Sequence, residues 1–327
     1  MFYAICFCLL FGVLFLVLSL GLMASLPAFR LVRAMEGRTH AGATANLLFA
    51  LRMLPFLLGG MVSVGLALPA FLEFEPSSTH EIPGAPLFVL AALGVTTLAI
   101  IAWRCARILH TTMRLQRQWL RTAVPLSFKV NGVPVFRVEE SRSLLAVAGI
   151  LRPRIFVSRD VADILTASEL NAALSHELAH VNASDNLKQF WLKVTRLPRW
   201  VPLLRQIDSL WNSTSEIAAD EHAITHGASP LELSSALVKV GRLSSHGRQP
   251  RLLTASHLVD GCTSATMARA TRLREWLEHG TAPSKTTGHD SNRHIWFFCT
   301  GTLLLLYIAM LGTVLPQLHE MLEFLVR

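Results

Sequence analysis

Glu-Leu-Asn-Ala-Ala-Leu-Ser-His-Glu-Leu-Ala-His, residues 169 to 180, is the stretch on which the reading of this chain turns. Thr166 and Glu169 form a capping box at its head. Leu165, Leu170, Ala173, Leu174, Leu178 and Val181 recur at helical spacing, so one helix with a buried stripe is predicted. On that helix His176 and His180 lie at i and i+4, which turns both imidazoles to one face. Glu177 lies about 100° around from His176, beside that face and not on it.

A second helix is predicted from about Val201 to His226, closed by Gly227, and it carries Glu216 and Asp220 again at i and i+4. Two imidazoles from one helix and a carboxylate from another are the ligand set of a single tetrahedral Zn²⁺, held by His176, His180 and Glu216. One Zn²⁺ per chain is therefore expected, with a water in the fourth position and Glu177 as its general base. Asp220 is placed to accept a hydrogen bond from the far nitrogen of His176 or His180, fixing tautomer and ring orientation. Asp185 is open to the same role, or to a helix cap or surface ion pair. Structural zinc sites usually fill all four positions with His and Cys, whereas three protein ligands are in sight here, which favours chemistry over bracing. No other cofactor-binding motif is read.

The composition is 52% hydrophobic, and the apolar residues gather in runs. Phe2 to Leu26, Leu47 to Leu72 and Pro86 to Trp103 are long enough to cross a hydrocarbon core of about 30 Å, and a fourth run spans Ile295 to Leu315. The expected organisation is a membrane domain over residues 1–103, a polar domain over 104–293 that contains every motif residue, and a last span with a short tail over 294–327. Basic residues set the orientation. Arg30, Arg33 and Arg38 follow the first run and Arg104, Arg107, Arg114, Arg117 and Arg121 follow the third, while Glu73, Glu75 and Glu81 follow the second. The N-terminus is thus expected outside and the metal domain in the cytoplasm of a multi-pass inner-membrane protein. No basic residue precedes the first run, so it reads as an anchor and not as a cleaved signal. Arg52, within the second run, reads as a residue snorkelling to the inner interface.

The polar domain carries 25 Lys and Arg against 16 Asp and Glu, a formal +9. A basic face beside anionic lipid accounts for it, so the bilayer is an expected partner. The basic residues are scattered and no aromatic-interleaved reader motif accompanies them, so direct nucleic-acid binding is not expected. Five cysteines, an odd count without a spacing pattern, argue against a disulfide framework and a cysteine metal site.

The fold class expected is mostly helical α+β. Arg104 to Thr122 runs off the third span as a helix, and Val133 to Val138 and Arg154 to Ser158 read as short strands separated by an apolar stretch, Leu144 to Ile150. Asn186 to Thr195, Ser229 to about Val240 and Thr263 to His279 read as further helices, and Thr281 to Asn292 as a linker. One of the strands, Arg154 to Ser158 or its neighbour, is expected to offer an edge to an extended substrate.

The stretch from Val133 to Leu243 resembles the membrane gluzincins of the BlaR/MecR antirepressor type, zinc-peptidase transducers that respond to β-lactams in bacteria. The resemblance is carried by Arg-Pro-Arg-Ile-Phe-Val-Ser (152 to 158), by residues 169 to 180, by Asp185-Asn186-Leu187, and by Glu216 with Asp220. It implies three spans, a cytoplasmic zinc domain and one more span, and regulated cleavage of a cytoplasmic or membrane protein, such as a repressor. HtpX-type and Ste-type membrane proteases share the zinc motif and the Glu-x-x-x-Asp, so quality-control proteolysis stands as the alternative. A zinc-braced transducer without catalysis is the third. The penicillin-binding domain that follows the last span in the antirepressor sensors has no counterpart here, so β-lactam sensing by this chain is not expected.

The group that stabilises the oxyanion is not read from sequence. Tyr3 and Tyr307 both lie in spans, which leaves His222, His226, His257 or an arginine. His222 and His226, at i and i+4, read as polar residues on the exposed side of their helix in preference to a second metal site. Substrate identity, activating signal and self-association stay open.

Overall fold

The structure is a computed structural model and describes residues 2–34, 40–75, 84–130, 132–139, 144–196, 202–245, 256–257 and 263–279, with Gln317 and Glu320. It is mostly helical with one five-stranded sheet. The chain divides into two compact units. The first comprises Met1–Arg33, Ala50–Ala102 and Thr286–Arg327, and the second Ala34–Phe49 and Trp103–Lys285.

Three helical stretches, Phe2–Ala34, Ala41–Phe74 and Ala85–Thr122, are long and apolar enough to cross a membrane. They are α1 (Phe2–Ala34), α2 (Ala41–Val62) continued through a π-helical turn at Ser63–Ala67 into α3 (Leu68–Phe74), and α4 (Ala85–Thr122). Small residues let these helices approach closely. A Cβ on Gly94 would collide with the Phe11 carbonyl, and one on Gly12 would come within 2.9 Å of Leu87. At the π-helical turn the Ser63 hydroxyl donates to the Leu10 carbonyl of α1. Arg52 departs from the snorkelling expectation. It is 1% exposed, and its guanidinium lies 5.5 Å from the centroid of the Phe56 ring. The expected fourth span, Ile295 to Leu315, and the linker before it lie outside the described residues.

The second unit is built on the sheet β1 (Ala123–Val130), β2 (Val133–Val138), β3 (Leu145–Ala148), β4 (Arg154–Ser158) and β5 (Ser256–His257), in the order β1-β2-β4-β3-β5. β2 and β4 are parallel and the other pairs antiparallel. The two strands expected from the sequence, 133–138 and 154–158, are both present with those bounds. The apolar stretch between them is itself a strand. Leu145 and Val147 face one core with Ile155, Val157, Ala173, Leu174 and Leu237, while Ala146 and Ala148 face another with Trp119 and Phe156. A strand buried on both faces shows no alternation, which is why its sequence reads only as apolar. β4 is interior, paired on both sides, so the expectation that it offers a substrate edge is corrected. Its neighbour β3 is flanked by β5 at Ala146 and Val147.

Between β3 and β4 the chain turns at Gly149, whose φ of +112° is open to glycine and costly for other residues. A Cβ there would stand 2.5 Å from the Arg152 carbonyl. After β4 come α5 (Arg159–Ile164), α6 (Ala167–Asn182), α7 (Asp185–Val194), α8 (Pro202–Thr225), α9 (Pro230–Ser245) and α10 (Thr263–His279). Ala172, Ala173 and Leu174 seat α6 against the sheet, and Leu233, Ala236, Leu237 and Leu273 bring α9 and α10 onto the same core. α6 carries the His-Glu-x-x-His motif, and its N-terminus is pinned as expected. Thr166 Oγ1 accepts from the Glu169 backbone N–H and the Thr166 N–H donates to Glu169 Oε2, a reciprocal capping box.

The same Glu169 carboxylate accepts from Lys239 at 2.7 Å and from Ser235 at 2.6 Å, tying α6 to α9. Burial alone pushes its pKa up, but Lys239, Ser235 and the Thr166 N–H outweigh burial and hold it at about 2. A carboxylate whose folded pKa lies below its unfolded value of about 4.3 contributes stability that is present above the unfolded pKa and lost as pH falls toward the folded one. Glu169→Gln is expected to destabilise by about 2 kcal/mol near pH 6, a charge-assisted bond and part of a cap. The gap to wild type should close between about pH 4.5 and pH 2 in thermal melts followed by circular dichroism.

Candidate metal centre

His176 and His180 are one turn apart on α6 and fully buried, and Glu216 on α8 reaches both. His176 Nε2 and His180 Nε2 are 3.2 Å apart. Glu216 Oε2 lies 3.5 Å from His176 Nε2, and Oε1 lies 3.5 Å from His180 Nε2. Ligands at about 2.0–2.1 Å from a tetrahedral ion stand about 3.3 Å from one another, so these separations are the size of one zinc coordination shell. Among the described residues this is the one His/Cys/Asp/Glu group close enough to hold a metal ion. The three residues named as ligands from sequence therefore converge.

The far nitrogens settle which ring atoms face the centre. His176 Nδ1 lies 2.9 Å from Asp220 Oδ1, and His180 Nδ1 lies 2.8 Å from Asp185 Oδ2. Each carboxylate accepts from an Nδ1–H, which leaves the lone pair on Nε2, pointing inward, where a metal would take it. Burial and Arg269 lower the His176 pKa, but Asp220 and Glu216 outweigh them and raise it. Burial likewise lowers that of His180, while Glu216 and Asp185 raise it above the ordinary value. Asp220 thus sits where the sequence placed it. Asp185 is buried at 4% exposure with one oxygen on His180, and its other oxygen lies 3.5 Å from Lys188 Nζ, so the histidine contact and an ion pair are both present. Ser184, in the left-handed region at φ 56°, turns the chain sharply from α6 into α7 and brings Asp185 back beneath His180. The next residue fastens that turn to the sheet: Asn186 Nδ2 donates to the carbonyls of Val147 and Gly149. Asp185→Asn is expected to weaken zinc binding about 10- to 100-fold, read by competition with a chromophoric chelator, with little change in circular dichroism.

Glu177 is buried beside the ligands. Neither carboxylate oxygen makes a hydrogen bond of normal geometry with a described residue, although the Val147 backbone N–H faces it. Burial pushes its pKa up and Glu216 adds to the rise, against His180 and Arg269, and the result is about 8.

Arg269 on α10 was not singled out from the sequence. Its Nη2 and Nε lie 2.6 and 2.9 Å from the two Asp220 oxygens, and its Nη1 lies 2.7 Å from Glu216 Oε2. Burial pushes the Glu216 carboxyl up, but Arg269 and the two histidines draw it down to about 2. Asp220, buried against the same cation, is likewise held well below the usual carboxylate range. A signal existed: Arg269, Leu273 and Trp276 fall at i, i+4 and i+7, so the arginine lies in line with the stripe that α10 turns toward the core.

Of the groups left open for oxyanion stabilisation, His222 and His226 contact each other at 2.6 Å, and His222 also meets Asn182. The His257 side chain lies outside the described residues. Tyr3 lies on α1, and Tyr307 is outside the described residues. Arg269 turns Nη1 to Glu216 and Nη2 to Asp220, and Nη2 also lies 3.3 Å from His176 Nε2.

No curated protein matches this chain. Residues 109–218, which include the sheet strands β1 to β4, the motif helix and Glu216 but end before Asp220 and Arg269, match the model described as Peptidase family M48, and this similarity implies a metallopeptidase.

Proposed function

We propose that this chain is a membrane zinc endopeptidase. The observation that carries the reading is the convergence of His176 Nε2, His180 Nε2 and a Glu216 oxygen, with Glu177 buried alongside and no part of the ligand set. A zinc ion held there would supply Lewis acidity, polarising a scissile carbonyl and acidifying water toward a pKa of about 7. Asp220 and Asp185 keep the two rings in the ligating tautomer. Glu177 removes a proton from the attacking water at a carboxylate oxygen and passes it to the leaving amine nitrogen. The burial that raises its pKa also excludes the bulk solvent that would compete for that proton.

Three helices of membrane length and the basic segments after the first and third support an outside N-terminus and a cytoplasmic metal unit in the inner membrane. The resemblance to antirepressor transducers supports a cytoplasmic regulatory protein, repressor-like, as substrate. The alternative is quality control of the HtpX or Ste kind, which shares the zinc motif. Full-length protein reconstituted in vesicles, carrying Glu177→Gln as a substrate trap, separates them: a single captured cytoplasmic protein, cleaved by wild type at one bond, supports signalling. Capture of many misfolded membrane proteins supports quality control. Zinc-dependent function that survives Glu177→Gln would leave only the non-catalytic transducer.

A further inference from the structure

Four carboxylates, Glu177, Asp185, Glu216 and Asp220, are packed around two imidazoles in the interior of the unit, and two of them touch a single guanidinium. We propose that Arg269 is the resident counter-ion of the metal centre, a cation that neutralises Glu216 and Asp220 where the metal would also draw on them, and that makes α10 part of the site. The inference rests on the zinc reading above.

The argument is one of charge and geometry. Carboxylates crowded together in a site of low dielectric need compensating cations. A divalent ion and Arg269 would supply three positive charges, and Lys188, 3.5 Å from Asp185, a fourth. Arginine suits the place because its planar fork meets both oxygens of Asp220 while its remaining nitrogen reaches Glu216, one turn away on α8. Glu216 Oε2 is held by the arginine and Oε1 is turned toward His180. Asp220, gripped from one side by Arg269, presents Oδ1 to His176 Nδ1. One cation thus pairs with both the carboxylate ligand and the carboxylate that supports an imidazole ligand. α10 in turn is seated by Leu273 in the core it shares with α9.

A cation that leans on the same carboxylates as the metal also repels it. The two therefore stabilise the protein antagonistically, and each matters most when the other is missing. A residue that merely docks α10 would matter equally in both states, and one that only orients ligands would matter most with zinc bound.

The test uses full-length protein in detergent, as wild type, Arg269→Ala and Arg269→Lys, with zinc stripped by chelator and with zinc restored. Thermal melts are the first readout. Arg269→Ala is expected to lower the zinc-free melting temperature by about 10 °C and the zinc-loaded one by less than half of that. Arg269→Lys, which keeps the charge and loses the fork, should fall between. Chelator competition is the second, and it stands if the alanine variant does not fold: Arg269→Lys should bind zinc more tightly than wild type, by reciprocity of the coupling. Equal melting losses with and without zinc, or weaker zinc binding by the lysine variant, overturn the proposal. Failure of wild type to bind zinc at all would instead refute the zinc reading beneath it.

Discussion

Replacing Glu177 by Gln leaves zinc on the protein and lowers proteolysis by about 10²- to 10⁴-fold, the range expected when an acid–base group is lost. The substitution keeps the shape of a fully buried side chain and removes its proton chemistry. Glu177 is outside the ligand set, so metal content by elemental analysis should be unchanged. Stability should hold or rise, because the wild-type carboxyl is buried with its pKa pushed up to about 8 and gives up no hydrogen bond of normal geometry on replacement. A Glu177→Gln protein that cleaves substrate at the wild-type rate would exclude this residue as the base. One that loses zinc would show that its carboxylate helps to hold the metal.

His176→Ala has the second large effect, and it differs in kind. The variant should lose zinc affinity by more than the roughly 100-fold attributed to losing a group that only orients a ligand. It should lose proteolysis with it. It also strips Asp220 of the Nδ1–H it accepts, while the Arg269 contacts to Asp220 remain. A fall in melting temperature that zinc no longer reverses is the expected signature, read by melts with and without added zinc. Full retention of tight zinc binding would mean that the ion sits elsewhere.

Which parts of this arrangement were legible from sequence follows from how far each signal reaches along the chain. The motif helix and its cap announce themselves within a few residues, because Thr166, Glu169 and the apolar spacing are local, and α6 begins where they place it. Glu216 and Asp220 lie on a predicted helix one turn apart, and the structure brings both to the histidines. β3 was missed as a strand because Leu145 to Ala148 is buried on both faces. β1 was missed because Pro125 and the register shift before Lys129 break its pattern, features tolerated on an edge strand. Asp185 could be read either way from sequence, since its role depends on the left-handed turn at Ser184, which a serine does not advertise. Arg269 is a long-range contact, 49 residues beyond Asp220 and on another helix. Nothing near it in sequence names its partners. Arg52 fails in the opposite sense, because interface snorkelling is a generic expectation for arginine in an apolar run, and a specific seat beside Phe56 overrides it.

The central claim is that His176, His180 and Glu216 share one zinc ion. X-ray absorption at the zinc edge on full-length protein, loaded with one equivalent of zinc, tests it most directly when wild type is compared with Glu216→Gln. The account predicts a wild-type shell of two imidazole nitrogens at about 2.0–2.1 Å and one or two oxygens at about 2.0–2.2 Å, without sulfur, and loss or rearrangement of the oxygen shell in the variant. A shell with one imidazole or none, or a spectrum unchanged by Glu216→Gln, would contradict it.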